Sequence, residues 1–126
     1  MQRDPRFASD DMIRKLSLVS SWAALALVAA VTLSSLALRP HLFAVHIEHV
    51  GAFAVVGLLF CLAYPRQTML VCAVVLGSAA LLEMLQLLTP DRHGQMSDLL
   101  FKLAGGASGI VVGKVARRFN DSDARP

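Results

Sequence analysis

Apolar residues run along this chain in four long segments that are separated by polar residues and prolines. The segments span residues 17–38, 50–64, 68–88 and 99–112. The first carries no charge over 22 positions, close to the roughly 20 residues that a helix needs to cross a bilayer. The second can be extended back to Leu42, and the fourth forward to Ala116. Long runs without period-two alternation argue against strands, so the pattern predicts an all-α integral membrane bundle of four transmembrane helices.

The breaks between the segments support this division. Pro40, Pro65 and Pro90 each fall between two segments, and proline disfavours helix both at its own position and at the residue before it. A four-helix membrane domain is therefore expected over residues 16–116. The tails at 1–15 and 117–126 are polar, and their outermost residues, 1–11 and 120–126, are expected to be loosely ordered.

Composition narrows the class of protein. The chain has 126 residues, of which 56% are apolar and 17% charged, whereas an ordinary soluble domain has about 45–50% and about 25%. This excludes a mainly disordered chain and a large soluble enzyme. Cleavage of the first segment as a signal peptide is disfavoured, because 22 uncharged residues exceed the usual apolar core of about 7–15.

Lysine and arginine predict how the bundle is oriented. With four spans, nine of the twelve basic residues lie in the N-terminal tail, the second loop and the C-terminal end from Lys114 onward, and three lie on the other side. The positive-inside rule then places both termini in the cytoplasm, in a multi-pass protein of the cytoplasmic membrane. The lipid bilayer is therefore the first partner. Nucleic acid is not expected as a partner, because no basic stripe is interleaved with aromatic residues.

Polar residues within the segments collect at the predicted outer face. Glu83 and Gln86 are three residues apart and share one face of the third helix. Asp98 and Lys102 are four apart with the acid first, the favourable order for an ion pair along a helix; Lys102 could instead pair with Glu83. His49 opens the second helix. Ionisable residues at lipid depth normally face the bundle interior or a wet cavity and are paired, so we expect an outward-facing polar pocket.

The fourth helix also carries a stripe of glycines below its polar residues. Gly105, Gly109 and Gly113 form two overlapping GxxxG motifs, which let helix backbones approach closely in lipid. We interpret them as a helix-packing face of glycine-zipper type. The same stripe could serve self-association into a homo-oligomer, and spacing alone does not choose between these roles.

The polar residues are compatible with more than one kind of chemistry. His46, His49 and Glu83 could supply a zinc ligand set, but the spacing matches neither HExxH nor HxxEH, so no metal is expected, and no cofactor. Cys61 and Cys72 are expected to be packing residues. If the protein is an enzyme, which the sequence leaves open, Glu83 is the best candidate for general acid–base chemistry, with Asp98 as the second carboxylate.

A set of polar and glycine positions has the order and spacing of a known family. The positions are His49, Phe53, Glu83, Gln86, Arg92, Asp98, Gly105 and Gly109. They resemble the second-helix histidine and the E-x-x-Q, R, D, G-x-x-x-G pattern of VanZ-like membrane proteins, over roughly residues 46–113. This chain departs from the pattern in having Val45 and His46 where the family commonly has Asp-Lys, and Lys102 where it has Asn.

The resemblance implies a small multi-pass protein of the cytoplasmic membrane. The founding member is associated with resistance to the antibiotic teicoplanin, but no settled reaction comes with the family and none is carried over here. We expect an envelope protein that binds, or binds and modifies, a lipid-linked or surface amphiphile. His49, Gln86, Arg92 and Lys102 are the expected ligand-binding residues. The alternatives are a scaffold or partner subunit whose charges only hold the helices together, and, more weakly, an ion path.

Overall fold

The computed structural model describes residues 5–33, 45–88 and 96–123, which form four helices. These are α1 (Pro5–Leu33), α2 (Val45–Ala63), α3 (Thr68–Leu87) and α4 (Met96–Asp123). Within the described ranges there is no strand. Each helix is long and apolar enough to cross a membrane, so the prediction of an all-α fold with four membrane-spanning helices is confirmed.

The first and last helices are longer than the apolar segments that predicted them. α1 begins at Pro5, well before the uncharged segment, and α4 continues to Asp123. The expectation of loosely ordered ends is therefore wrong for residues 5–11 and 120–123. Hydropathy marks where a helix leaves lipid, whereas helical hydrogen bonding continues until a residue interrupts it. Proline is well suited to the first position of a helix, and the next glycine or proline after Pro5 is Pro40.

The closest helix pair is α2 with α4, which make the most extensive contact in the bundle. Glycines allow this approach. A Cβ atom added at Gly105 would overlap the backbone of Val50, and one added at Gly109 would overlap the backbone of Ala54. A Cβ at Gly113 would lie 2.9 Å from a side-chain atom of α2. The glycine stripe of α4 therefore lies against another helix of the same chain.

The interior of the bundle is apolar, and α1 lies on its outside. The buried core residues are Phe53, Val56, Phe60, Val71, Val75, Ala79, Leu82 and Ile110. Only 11% of the membrane window of α1 is buried, against 28% to 33% for the other three helices. Large apolar side chains such as Leu27, Val55, Leu81 and Val111 are exposed, as expected for a surface that meets lipid rather than water.

Side-chain contacts define two ends of the bundle. At one end, Gln86 contacts Thr32, Lys102 contacts Glu83, and His46 contacts Asp98; we call this the Lys102 end. At the other end, one of the cavities is lined by Arg14, Arg66 and Arg117 among others; we call this the arginine end. Each end therefore gathers residues from separate parts of the chain, and the two ends differ in chemistry.

Candidate functional site

Lys102 is the centre of a buried polar cluster between α3 and α4. Its Nζ donates to Glu83 Oε2 at 2.7 Å and to Gln86 Oε1 at 3.1 Å. Lys102 is 0% exposed, and Glu83 and Gln86 are each 6% exposed. We call these three residues the Lys102 cluster. A charge at this depth is tolerable because it is paired and hydrogen-bonded.

The partner of Lys102 differs from the ion pair that its own helix suggested. Of the two partners expected for Lys102, the structure has Glu83 of α3 and not Asp98 of its own helix. A pair along a helix surface is worth only about 0.2–0.5 kcal/mol. The contact across helices removes two charged groups from lipid together and engages Gln86 as well, so it satisfies more of the buried polar atoms.

Gln86 connects the cluster to a third helix. Its side-chain Oε1 accepts from Lys102, and its Nε2 donates to the backbone oxygen of Thr32 at 3.2 Å. Glutamine can do both because its amide carries an acceptor and donors on one group. The cluster therefore joins α1, α3 and α4, and α1 is held at this end by a polar contact in addition to apolar packing.

Glu83 has an oxygen that the cluster does not satisfy. Oε2 accepts from Lys102, whereas Oε1 is buried and has no hydrogen-bond partner among the described residues. A buried acceptor without a donor is costly, roughly 1–3 kcal/mol or more when it is charged. The carboxylate is thus positioned by one oxygen and has acceptor capacity remaining on the other.

Asp98 takes part in a second, more exposed contact at the same end. Its Oδ1 lies 3.3 Å from Nδ1 of His46 on α2, with side chains 22% and 47% exposed. The His46 ring also stacks on Phe101, with ring centroids 4.5 Å apart. This pair joins α2 to α4 near the surface, so all four helices contribute polar groups to the Lys102 end.

The residues described at the Lys102 end all lie inside a region of the chain that matches a known protein family. The family model described as VanZ/LLP1 matches residues 6–117. The chain belongs to the VanZ/LLP1 family. No curated protein and no solved structure matches it.

The VanZ/LLP1 match covers more of the chain than the residue pattern alone. The residue pattern covers roughly residues 46–113, whereas the match begins within α1 and ends within α4. At Lys102, where the resemblance expects Asn, this family member has a cation, and that cation is held by the Glu and Gln of the E-x-x-Q motif.

Other residues of the predicted site have different placements. His49 is half-buried on α2, one turn from His46. Arg92 and its loop lie outside the described residues. His46 was not among the expected ligand-binding residues; the signal that could have identified it was its position one turn before His49 on α2.

The described residues of this VanZ/LLP1 protein do not form a metal-binding site. Over the described residues, no group of three or more His, Cys, Asp and Glu side chains is placed to hold a metal ion. Glu83 is instead paired with a lysine and Asp98 with a histidine. What the arrangement offers is a buried, charge-paired carboxylate below a half-exposed His–Asp pair, suited to hydrogen bonding or proton exchange.

Proposed function

We propose that this protein lies in the cytoplasmic membrane of the cell envelope with both termini in the cytoplasm and the Lys102 end facing outward. Support comes from the distribution of lysine and arginine. Nine of them lie in the N-terminal tail, the second loop and the C-terminal end from Lys114 onward, against three elsewhere, and such an excess marks the cytoplasmic side. Reporters fused after Arg66 and after His93 should report the cytoplasm and the outside, respectively. The reverse result would turn the Lys102 end inward and overturn this orientation.

The function supported best is binding of a lipid-linked or surface amphiphile at the Lys102 end. The observation that carries this proposal is Glu83 Oε1, a buried carboxylate oxygen without a donor among the described residues. A hydroxyl or amine of a headgroup would satisfy it. In this proposal Lys102 and Gln86 hold Glu83 in place, while His49 and Arg92 contact the headgroup, with Arg92 suited to an anionic group.

Modification of the bound amphiphile would draw on the two carboxylates. Glu83 would accept a hydrogen bond or a proton through Oε1, the oxygen not engaged by Lys102. Asp98 would act nearer the surface, where its contact with His46 offers a second group able to exchange protons. Both roles are those of general acid–base groups.

The binding proposal is tested by native mass spectrometry on protein extracted with its own lipids. The wild type should carry an additional amphiphile mass that the Glu83→Gln variant loses. Glu48→Gln is the matched control, because it makes the same change on the first turn of α2. Thermal unfolding shows whether each variant is folded. A folded Glu83→Gln protein that carries the same mass as the wild type would contradict the proposal.

A second candidate function is a non-catalytic scaffold or partner subunit, in which the polar residues only hold the helices together. The observation that favours it is the complete burial of Lys102, whose Nζ is engaged by two residues of α3. A scaffold needs the helices to stay packed but does not need the charges themselves. Replacing the pair with apolar residues should then leave cellular function intact, whereas a binding site should lose it.

A further inference from the structure

The arginine end contains a cavity that the proposed function does not use. Three arginines from different elements line it: Arg14 of α1, Arg66 of the loop between α2 and α3, and Arg117 of α4. Its volume is about 370 Å³, and Tyr64 contributes to its wall. Guanidinium groups repel one another, so an anion in the space that these three line would lower their mutual repulsion.

A second cavity adjoins the first and has the same charge. Its volume is about 640 Å³, and it shares Arg66 and Arg117 with the first cavity. Lys114 and Arg118 of α4 add two further cations to its lining, and Asp121 is its one acidic residue. The two cavities together therefore form a cationic groove at the end of the bundle.

Aromatic residues of the kind found at the height of lipid headgroups lie beside this groove. Trp22 Nε1 donates to the hydroxyl of Tyr64 at 3.0 Å, and Trp22 packs edge-on against Phe60. Tryptophan and tyrosine are enriched where lipid meets water, because one end of each ring system is apolar and the other polar. Since the Tyr64 oxygen accepts from Trp22, its own hydrogen remains available to donate to a ligand.

We propose that this groove binds the phosphate group of an anionic phospholipid. Arginine forks match phosphate oxygens with two parallel hydrogen bonds, and Arg66 and Arg117 contribute to both cavities. Exposed apolar side chains lie close to these arginines in sequence, including Leu62 and Val115, and offer acyl chains a surface beside the headgroup. This favours a lipid over free phosphate, and the proposal holds whichever leaflet the arginine end faces.

The test measures lipid retention by native mass spectrometry after reconstitution into vesicles of equal phosphatidylglycerol and phosphatidylcholine. The wild type should retain phosphatidylglycerol in preference to phosphatidylcholine by about tenfold. Both lipids carry the phosphate, but phosphatidylcholine adds a choline cation that the cationic side chains of the groove repel, at about 1 kcal/mol per charge. Arg117→Gln should remove most of this preference. Arg66→Gln should weaken the preference as well. Because Arg66 lies in the loop between α2 and α3, this second variant leaves helix packing unchanged.

The control is Lys15→Gln, which removes one charge from the exposed residue next to Arg14 but does not line either cavity. It should keep the preference. An equal loss in Lys15→Gln and Arg117→Gln would show diffuse attraction and overturn the site. Inorganic phosphate is the third arm: if it displaces phosphatidylglycerol at millimolar concentration, the groove is a free-phosphate site and the lipid assignment is wrong.

Discussion

The Lys102 cluster leads to a prediction about stability that separates a buried charge pair from an ordinary polar contact. Three variants are needed: Glu83→Met, Lys102→Met and the two combined. Methionine has a similar length and an apolar side chain that adapts to irregular spaces. Each single variant leaves one member of the pair buried without its partner, whereas the double variant leaves neither.

The expected magnitudes follow from the geometry. At 2.7 Å, an ion pair in an effective dielectric of about 20 has a Coulomb energy of about 6 kcal/mol, offset by the cost of desolvation. Breaking a buried pair at one partner costs about 3–5 kcal/mol, whereas replacing both partners with apolar residues is often neutral. Lys102→Met should be the worse single variant, because it also leaves Gln86 Oε1 without its donor, at about 1–3 kcal/mol. The double variant should therefore be more stable than either single variant.

The assay is unfolding of the purified protein in mixed micelles by titration with sodium dodecyl sulfate. The free energies of the four proteins form a double-mutant cycle, which isolates the coupling between Glu83 and Lys102. Hydrogen bonds between membrane helices average about 0.6 kcal/mol in such cycles. A coupling energy of that size, or a double variant less stable than both single variants, would refute the reasoning.

Two further predictions concern packing and the aromatic contact. Gly109→Ala should destabilise the protein by about 1–3 kcal/mol in the same assay, because the new Cβ would overlap the backbone of Ala54. Gly77→Ala is the control and should be neutral or stabilising, because nothing lies within 4 Å of its new Cβ. Equal effects of the two variants would contradict the close α2–α4 contact. Tyr64→Phe removes the acceptor of the Trp22 hydrogen bond and should cost about 0.5–1.5 kcal/mol, with a shift in tryptophan fluorescence; an unchanged spectrum and stability would contradict that contact.

Most of the fold could be predicted from the sequence because lipid imposes a simple rule. A segment of about 20 apolar residues inside a bilayer is stable as a helix, because a helix satisfies its own backbone hydrogen bonds. The boundaries of α3 were therefore predicted to within one residue. The ends of α1 and α4 could not be found in this way. Their polar turns lie beyond the apolar segments, where hydropathy carries no information and helix continuation depends on the absence of breakers.

The membership of the polar site was easier to predict than its pairing. The shared face of Glu83 and Gln86 follows from helix geometry, and both lie in the buried cluster. The partner of Lys102 depends on how α3 and α4 pack, which a spacing rule within one helix cannot represent. For the same reason the contact of Asp98 with His46, rather than with the lysine one turn away, could not be predicted from spacing.

The central claim is that the Lys102 cluster serves a ligand and not only the packing of the helices. The most direct test combines folding and binding in one protein, the Glu83→Met/Lys102→Met double variant. Its unfolding curve shows whether the bundle is intact, and native mass spectrometry shows whether it still carries the amphiphile of the wild type. We expect a folded protein that has lost the ligand mass. A folded double variant that retains that mass would show that the charged pair is not needed for binding and would contradict the claim.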